Sequence, residues 1–446
     1  MQSKMSINFF LIQGLEKLIK KNFLFFLKLQ VQFISCKKNK KPLSVNSIAV
    51  VNTFDTHGGA AKIAYELTSR LRVDYDVQLY VKYKNSNANW INKLVELNYS
   101  FIEEVLRRES FERGWIELTG FQGKQLLKDS FYSQTSVVHL HNLHGEFFSP
   151  ALFNVLFRRK KVIWTLHDES FITGHCSCTF NCNRWKNGCG DCPDLSIYPP
   201  VKYDNTKKVL AQKKKWILDI QPIVVCPSSW LANRVKVAYP TLEKIVVIPN
   251  GINTEIFKPV DQTQARNKLG LPLNKKIVLF VAEFSTNNPF KGGAIIRNLI
   301  ADSTFAELVF ITVGGNNTSG YMNHITYPYI DKDTDLSLLY AASDVLLYPT
   351  QADNLPLVVL ESMSCGTPVI ASSLGGIPEI IRHNENGMLV ENFKKESSFK
   401  VALDTFFSLS EEHIMCLKLK ARETVCSNFE LLQMVEQYTS IYNSKV

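Results

Sequence analysis

The chain has 446 residues, of which 45% are hydrophobic and 21% charged, a composition typical of a globular protein with two or three domains. Its net charge of +10 is uneven, because the first 47 residues hold nine lysines and a single acid. The rest of the chain is therefore nearly neutral, which argues against a core that binds nucleic acid.

The basic N-terminal extension, residues 1–46, alternates apolar clusters with lysines. Its apolar runs are interrupted by Lys17, Lys20, Lys21 and Lys28. No run reaches the roughly 18 residues of a membrane-spanning helix, and no secretory signal is apparent. The pattern predicts an amphipathic helix that contacts an anionic membrane surface through residues 1–40. The alternative is a helix packed on the body of the protein, with its lysines in solvent.

A strand, a glycine turn and a helix follow the extension. The apolar run over residues 47–54 predicts the strand, and Gly58 and Gly59 precede a helical pattern. Such a unit lets backbone N–H groups approach an anion at a helix N-terminus. Most glycine pairs of this kind, however, only make a tight turn.

Histidines end two later predicted strands. The sequence places His139, His141 and His144 at and beyond the end of one strand, and His167 and Asp168 after the following strand. Ligands of open α/β sheets bind beyond the carboxyl ends of strands. Three nearby histidines could bind zinc, but neutral imidazole nitrogens also hydrogen-bond sugar hydroxyl groups. We expect His167 and Asp168 to line an acceptor pocket or to steady a donor.

A cysteine-rich insert occupies residues 174–194. The spacing C-x5-C-x6-C-x2-C could give four thiolates to a structural zinc ion: Cys176, Cys182, Cys189 and Cys192. The alternative is a compact loop of reduced, partly buried thiols, because a reducing compartment disfavours disulfides.

A second glycine turn, Lys291-Gly292-Gly293, stands before a predicted helix in the second half of the chain. A helix dipole and an ammonium group at that position both favour a pyrophosphate.

Two acids, Asp353 and Glu361, lie eight residues apart around another predicted helix. Pro356 suits the first turn of this helix and Gly366 suits its end, so both carboxylates should lie near one helix face. They either complement the dipole of a buried helix N-terminus or accept hydrogen bonds from hydroxyl groups of a sugar and a ribose.

The segment QADNLPLVVLESMSCG, followed by PVIAS-x-x-GG-x-PE, resembles the donor-binding signature of the retaining glycosyltransferases of family 4. The resemblance covers about residues 47–440 and implies the α/β GT-B fold. Two Rossmann-like, doubly wound parallel-sheet domains would face a cleft, and a C-terminal helix would cross back to the first domain. The implied divisions are an N-terminal acceptor domain over 47–248, a nucleotide-sugar-binding domain over 249–428 and the returning helix over 429–446.

The same resemblance assigns the donor-binding residues. It implies that Glu361 holds the ribose diol, that Asp353, Asn354 and Leu355 contact the donor sugar, and that Lys291 binds the phosphates. The family usually has Glu at the position of Asp353, so the identity of the sugar is open. It also usually has an Arg near the position of Glu283, and no second phosphate-binding cation is evident.

On the acceptor side, the resemblance makes His141 the histidine near the transferred sugar. It also brings Gly58 and Gly59 close to the donor phosphates and the acceptor. The predicted catalytic residues are therefore His141, Asp353 and Lys291. A related cysteine-rich insert in some family members implies a structural, non-catalytic role for residues 174–194.

The implied reaction transfers a sugar from a UDP- or GDP-sugar to an acceptor hydroxyl, with retention of configuration and no catalytic metal. The basic extension favours a lipid-linked glycan acceptor and a peripheral position at the cytoplasmic face of the membrane, in polysaccharide or glycoconjugate assembly. The alternatives are a GT-B UDP-sugar epimerase and a non-catalytic GT-B protein that binds sugar nucleotides. A dinucleotide dehydrogenase lacks its G-x-G-x-x-G turn here.

Overall fold

The computed structural model describes residues 13–23, 25–26, 44–95, 101–115, 119–315 and 320–444. Contacts divide the chain into two compact units. The first comprises the chain up to residue 226 together with 232–246 and the segment from 442 onward; the second comprises 227–231 and 247–441. The division predicted at residues 248 and 428 stays a prediction.

The first unit is built on a seven-stranded sheet with the order β3-β2-β1-β4-β5-β6-β7, parallel from β3 to β6. The strands are β1 (Ser44–Phe54), β2 (Asp76–Tyr83), β3 (Ile91–Lys93), β4 (Thr135–Leu140), β5 (Lys161–Thr165), β6 (Ile223–Cys226) and β7 (Ile245–Val247). The strand order reverses between β1 and β4, where Val51 pairs with Leu140. Ligands of doubly wound sheets bind at this reversal point, beyond the strand ends.

Among the described residues between β1 and β7 there are six α-helices: α1 (Gly59–Leu71), α2 (Phe101–Glu112), α3 (Ser130–Gln134), α4 (Phe153–Leu156), α5 (Thr206–Ile220) and α6 (Ser229–Ala238). The buried residues of α1 recur at helical spacing, and Ile63, Ala64, Leu67 and Leu71 are among them. Their apolar face holds α1 against the sheet.

The described part of the N-terminal extension packs on the first unit. Ile19 and Phe23 are buried, and the Phe23 ring lies 5.8 Å from that of Trp115. Lys20 also pairs with Glu109 of α2 at 3.2 Å. Residues 13–23 thus match the alternative of a helix packed on the body. Membrane contact stays a prediction, and residues 1–12 and 27–43 lie outside the described chain.

The second unit repeats the same topology with a six-stranded parallel sheet, in the order β10-β9-β8-β11-β12-β13. Its strands are β8 (Lys276–Val281), β9 (Leu308–Val313), β10 (His324–Tyr327), β11 (Val345–Tyr348), β12 (Val369–Ser372) and β13 (Met388–Val390). The order reverses between β8 and β11. The two parallel sheets confirm the pair of Rossmann-like domains.

In the part of this half that the structure describes, eight α-helices accompany the sheet: α7 (Gln262–Leu269), α8 (Gly293–Ala301), α9 (Asp333–Ala342), α10 (Leu357–Ser364), α11 (Ile377–Ile380), α12 (Glu396–Phe407), α13 (Glu411–Asn428) and α14 (Leu431–Asn443). Side chains from β8, α8, β11 and α12 form one apolar core, in which Phe280, Ile296, Leu347 and Phe399 are almost fully buried. None of the described helices is both long enough and apolar enough to cross a membrane.

The end of α14 belongs to the first unit. The Tyr442 hydroxyl is 2.7 Å from His139 Nδ1 in β4. The ammonium of Lys161, at the start of β5, donates to the carbonyl of Tyr442 at 3.2 Å and to the side chain of Ser444 at 3.0 Å. These bonds satisfy a largely buried lysine and the last carbonyls of the helix.

Candidate functional site

The predicted phosphate-binding turn follows β8 in the second unit. The Asn288 side chain accepts hydrogen bonds from the backbone N–H groups of Phe290 (2.9 Å) and Lys291 (3.1 Å), which fixes the turn. Gly292 has a φ of +74°, in the left-handed region that favours glycine. Helix α8 then starts at Gly293 without a side-chain cap, so its positive dipole end faces the turn.

The loop between β11 and α10 is held against this turn by backbone contacts. The Phe290 carbonyl accepts hydrogen bonds from the Gln351 N–H (2.7 Å) and the Thr350 hydroxyl (3.1 Å). On another side of the loop, a Cβ on Gly375 would lie 2.0 Å from the Asp353 carbonyl oxygen. The loop that carries Asp353 is therefore fixed from two directions, and one of them requires a glycine.

Two of the predicted catalytic residues meet here. The Lys291 ammonium forms an ion pair with Asp353 Oδ2, and the Tyr348 hydroxyl donates to the same oxygen at 2.5 Å. Burial disfavours the charge of Lys291, but the neighbouring Asp353 and Tyr348 more than offset burial and raise the pKa of the ammonium. Lys291 is therefore a permanent cation at the reversal point of the second sheet.

Asp353 does not lie on the helix that carries Glu361, so the prediction of one shared helix face was wrong. Helix α10 starts at Leu357, and Pro356 precedes it in an extended conformation. A proline disfavours helical geometry at the residue before it, which prevents the helix from reaching back to Asp353. The two acids instead occupy a loop and the helix that follows it.

Glu361 has the polar partner that a buried carboxylate needs. Its side chain sits among apolar neighbours and is 3% exposed, and the Tyr340 hydroxyl of α9 donates to Oε2 at 2.9 Å. Burial raises the pKa of Tyr340 well above its usual range, and Glu361 and Tyr348 add to this rise. Tyr340 is thus influenced electrostatically by Glu361 and by Tyr348, the hydrogen-bond partner of Asp353. No local sequence signal indicated that Tyr340 would contact Glu361.

The two loop residues predicted to contact the donor sugar are both buried. Asn354 Oδ1 accepts a hydrogen bond from the Ser228 hydroxyl at 2.5 Å, while its Nδ2 has no partner among the residues that the structure describes. The Leu355 carbonyl accepts a hydrogen bond from the Asn250 side chain at 2.9 Å. The Asn354 amide therefore has an unsatisfied donor within the described chain, whereas the Leu355 carbonyl is satisfied.

In the first unit, His141 and His167 form a pair. His141 Nδ1 lies 2.9 Å from His167 Nε2, with the rings stacked at 16°. His141 is 1% exposed, and within the described chain its Nε2 has no hydrogen-bond partner. His167 is partly exposed and lies nearer to solvent. The sequence singled out both residues but could not show that one holds the other.

The remaining histidines of this region have separate partners. His139 connects Tyr442 and Thr165, with its Nε2 2.8 Å from the Thr165 hydroxyl. His144 lies 2.8 Å from the Asp168 carboxylate. The histidines bind to one another and to side chains, so zinc ligation is not needed to explain their clustering.

A cavity opens beside these groups in the first unit. Its lining includes His141, His144, Trp164, His167, Asp168 and Lys213. The Trp164 indole donates to the His141 carbonyl at 3.1 Å, which fixes the backbone of that histidine. The cavity combines aromatic walls with hydrogen-bonding groups, a combination suited to a sugar or another hydroxylated ligand.

The buried histidines predict a pH-dependent stability. Burial lowers the pKa of His139 to about 3 and that of His167 to about 4. Below about pH 6.5 the histidines are protonated in the unfolded chain but stay neutral in the folded chain. The free energy of unfolding therefore decreases as the pH decreases, until the pKa of the folded state is reached. We expect a loss of about 1 kcal/mol per histidine between pH 7.5 and 5.5.

Urea denaturation followed by tryptophan fluorescence checks this expectation. His139→Gln cannot be protonated and should reduce the pH dependence, while His413→Gln, on the exposed start of α13, should leave it unchanged. A wild-type midpoint that does not move between the two pH values would contradict it.

The glycine pair after β1 lies at the reversal point of the first sheet. Gly58 has a φ of +85° and occupies the N-cap position of α1, where it leaves the first N–H groups of the helix without a side-chain acceptor. The helix itself begins at Gly59. Thr53, at the end of β1, donates to the carbonyl of Asn142 just beyond β4, at 3.0 Å. The loops after β1 and β4, which carry Gly58 and His141, are therefore neighbours.

The cysteine-rich insert is anchored to the first unit by charged and aromatic contacts. Arg234 of α6 donates to the Thr179 hydroxyl at 2.6 Å and lies 4.3 Å from the Trp185 ring centre. Cys176, Cys182, Cys189 and Cys192 are free thiols, and burial raises the pKa of Cys176 to about 12.

The predicted zinc site is not supported by the arrangement of these thiols. Within the described ranges, no group of three or more His, Cys, Asp or Glu side chains is placed to hold a metal ion. Zinc at Cys176, Cys182, Cys189 and Cys192 stays a prediction, and the geometry matches the alternative of a compact thiol loop.

Two family descriptions match the chain. "Glycosyltransferase Family 4" matches residues 57–256, and "Glycosyl transferases group 1" matches residues 261–422. These matches cover most of both units.

Curated relatives match parts of the chain. The putative colanic acid biosynthesis glycosyl transferase WcaC of Escherichia coli is 28% identical over 265 residues, 55% of this chain and 62% of the relative. The D-inositol 3-phosphate glycosyltransferase of Mycobacterium tuberculosis is 30% identical over 162 residues, 33% of each protein. The chain thus spans less than two thirds of the length of each of these relatives.

Solved structures share the fold. Sucrose-phosphate synthase from Thermosynechococcus elongatus superposes with a TM-score of 0.63 at 18% identity, over 89% of this chain and 98% of that chain. HepE from Anabaena, solved with UDP-glucose, superposes with a TM-score of 0.60 at 15% identity, over 90% of this chain and 100% of that chain. These likenesses confirm the predicted two-domain fold.

Proposed function

The chain belongs to the family 4 glycosyltransferases, and from that membership we propose that it transfers a sugar from a nucleoside diphosphate sugar to an acceptor hydroxyl. The observation that carries the proposal is the cluster at the reversal point of the second sheet. A permanent cation, Lys291, lies there beside Asp353 in a fixed loop, with Glu361 on the adjoining helix.

The departing nucleoside diphosphate is the group that this cluster stabilises. As the glycosidic bond to the phosphate breaks, negative charge grows on the phosphate oxygens, and Lys291 and the N-terminus of α8 oppose that charge. Asp353 and Asn354 hydrogen-bond the hydroxyl groups of the donor sugar, and Glu361 accepts from the ribose diol. The transfer retains anomeric configuration.

On the acceptor side we assign substrate contact to His167 and place His141 behind it. His167 is the more exposed ring of the pair, and His141 holds it at 2.9 Å. Both rings are neutral near pH 7, because burial lowers the pKa of each. They therefore hydrogen-bond sugar hydroxyl groups and do not act as charged groups.

The acceptor we propose is a lipid-linked glycan in polysaccharide assembly at the inner face of the membrane. The colanic-acid relative from Escherichia coli supports the polysaccharide assignment. In the described part of the extension, Leu15, Leu18 and Phe25 are exposed. Exposed apolar side chains among lysines suit an anionic lipid surface.

A thermal-unfolding screen with nucleotide sugars tests the donor assignment. UDP-glucose, UDP-galactose, GDP-mannose and GDP-fucose are each compared with the free nucleoside. At 100 times Kd a donor should stabilise the fold by about 2.7 kcal/mol. Failure of every UDP- and GDP-sugar to shift the transition would overturn the proposed donor class.

The products formed with the stabilising donor distinguish transfer from the two alternatives. A sugar conjugate with the original anomeric configuration supports a retaining transferase. Release of UDP with an altered free sugar indicates an epimerase. Binding without either product indicates a protein that only holds the sugar nucleotide.

A further inference from the structure

One oxygen of the Asp353 carboxylate, Oδ2, is fully engaged by its own chain. Oδ2 accepts from both the Lys291 ammonium and the Tyr348 hydroxyl, and Oδ1 accepts from the Asn354 N–H at 2.9 Å. A carboxylate oxygen has two lone pairs, so Oδ2 can accept a sugar hydroxyl only when one of its two partners leaves.

The structure identifies which partner can leave. The Tyr348 side chain is 1% exposed, at the end of a buried strand, and this burial restricts its movement. The Lys291 side chain is 28% exposed and ends a flexible four-carbon stem. Lys291 is therefore the partner that a ligand can draw away, while Tyr348 keeps Asp353 in position.

We propose that Asp353 competes with the donor diphosphate for Lys291, so that Asp353 Oδ2 can accept a sugar hydroxyl only when the diphosphate is bound. The proposal rests on the function proposed above. A diphosphate carries more negative charge than one carboxylate, and it also meets the positive end of α8, so it wins Lys291 from Asp353. Oδ2 then accepts a hydroxyl of the donor sugar, with Tyr348 as its remaining partner.

The device depends on the contacts that hold the loop of Asp353 beside the turn of Lys291. Backbone bonds from Gln351 and Thr350 to the Phe290 carbonyl bring the turn and the loop together, so the ion pair is built into the fold. Tyr348 therefore acts as a positioning residue, because it reaches the ligand only through Asp353.

The test measures binding of pyrophosphate, UDP, GDP and uridine to the full chain by titration calorimetry. In Asp353→Asn the competitor of the phosphates is lost, and we expect pyrophosphate and the preferred nucleoside diphosphate to bind roughly 5- to 20-fold more tightly. Uridine, which lacks phosphates, should bind the variant and the wild type alike. In this variant the nucleotide sugar should bind no more tightly than the free nucleoside diphosphate, because residue 353 no longer offers a carboxylate to the sugar hydroxyl.

Asp302→Asn is the matched control. Asp302 pairs with Lys400 at 2.7 Å in the same unit, so this variant makes the same charge change away from the site. Diphosphate affinity that is unchanged or weaker in Asp353→Asn, or equally raised in Asp302→Asn, overturns this inference alone. If neither UDP nor GDP binds the wild type, the proposed function falls, and the inference falls with it.

Discussion

Replacing Lys291 by alanine is expected to lower the turnover of sugar transfer by roughly 100- to 1000-fold. The departing diphosphate would lose its nearest cation. It would also face the unpaired carboxylate of Asp353, which Lys291 neutralises in the wild type. The effect should therefore exceed that of losing a neutral hydrogen bond. Release of nucleoside diphosphate, measured with the donor found by the thermal screen, gives the turnover.

Two further variants test whether the loss of turnover comes from the missing positive charge at residue 291 or from a general effect on the fold. Lys291→Arg keeps the cation and should recover part of the turnover, although its planar fork does not reproduce a lysine point charge. Lys268→Ala removes an exposed lysine of α7 in the same unit and should be silent. Turnover of Lys291→Ala within a few-fold of wild type would exclude Lys291 as the group that stabilises the departing phosphate.

Replacing Glu361 by glutamine is expected to weaken nucleotide binding by roughly 10- to 100-fold, the usual value of a hydrogen bond to a charged group. Glutamine keeps the shape of the side chain and can still accept from Tyr340, so the fold should persist. Glu361→Ala would in addition leave the buried Tyr340 hydroxyl without this acceptor, and we expect it to abolish stabilisation by nucleotide sugars.

Tyr340→Phe completes this series. Loss of the phenol removes the bond that orients Glu361 but leaves the carboxylate in place, so nucleotide affinity should fall less than in Glu361→Gln. Calorimetric titration with UDP and GDP gives the three affinities. Glu361→Gln binding as tightly as wild type would rule out ribose recognition by this acid.

The sequence was sufficient for the main elements of the fold. The apolar run over residues 47–54 predicted β1 to within a few residues, because a strand buried on both faces reads as a continuous apolar segment. Pro356 marked the start of α10 to within one residue, since it lies just before the helix and not in its first turn, and Gly366 has a φ of +73° just beyond the helix end.

The site was less predictable, because its contacts join distant parts of the chain. Lys291 and Asp353 are 62 residues apart and meet only through the folded sheet. The sequence around Tyr348 and Tyr340 is that of ordinary buried aromatic residues. Only the structure shows that their hydroxyl groups donate to Asp353 and Glu361. The position of Asp353 outside α10 did have a local signal, because Pro356 follows it by three residues.

The anchoring of residues 442–444 affects how this protein can be dissected. A fragment cut after residue 246 would contain Lys161 and His139 but would lack the Tyr442 and Ser444 groups that bond to them. In the isolated N-terminal half, the buried His139 and Lys161 side chains would therefore lose these hydrogen-bond partners. To fold on its own, the fragment would need the last turn of α14, supplied either as a separate synthetic peptide or as a segment joined to residue 246 through a linker.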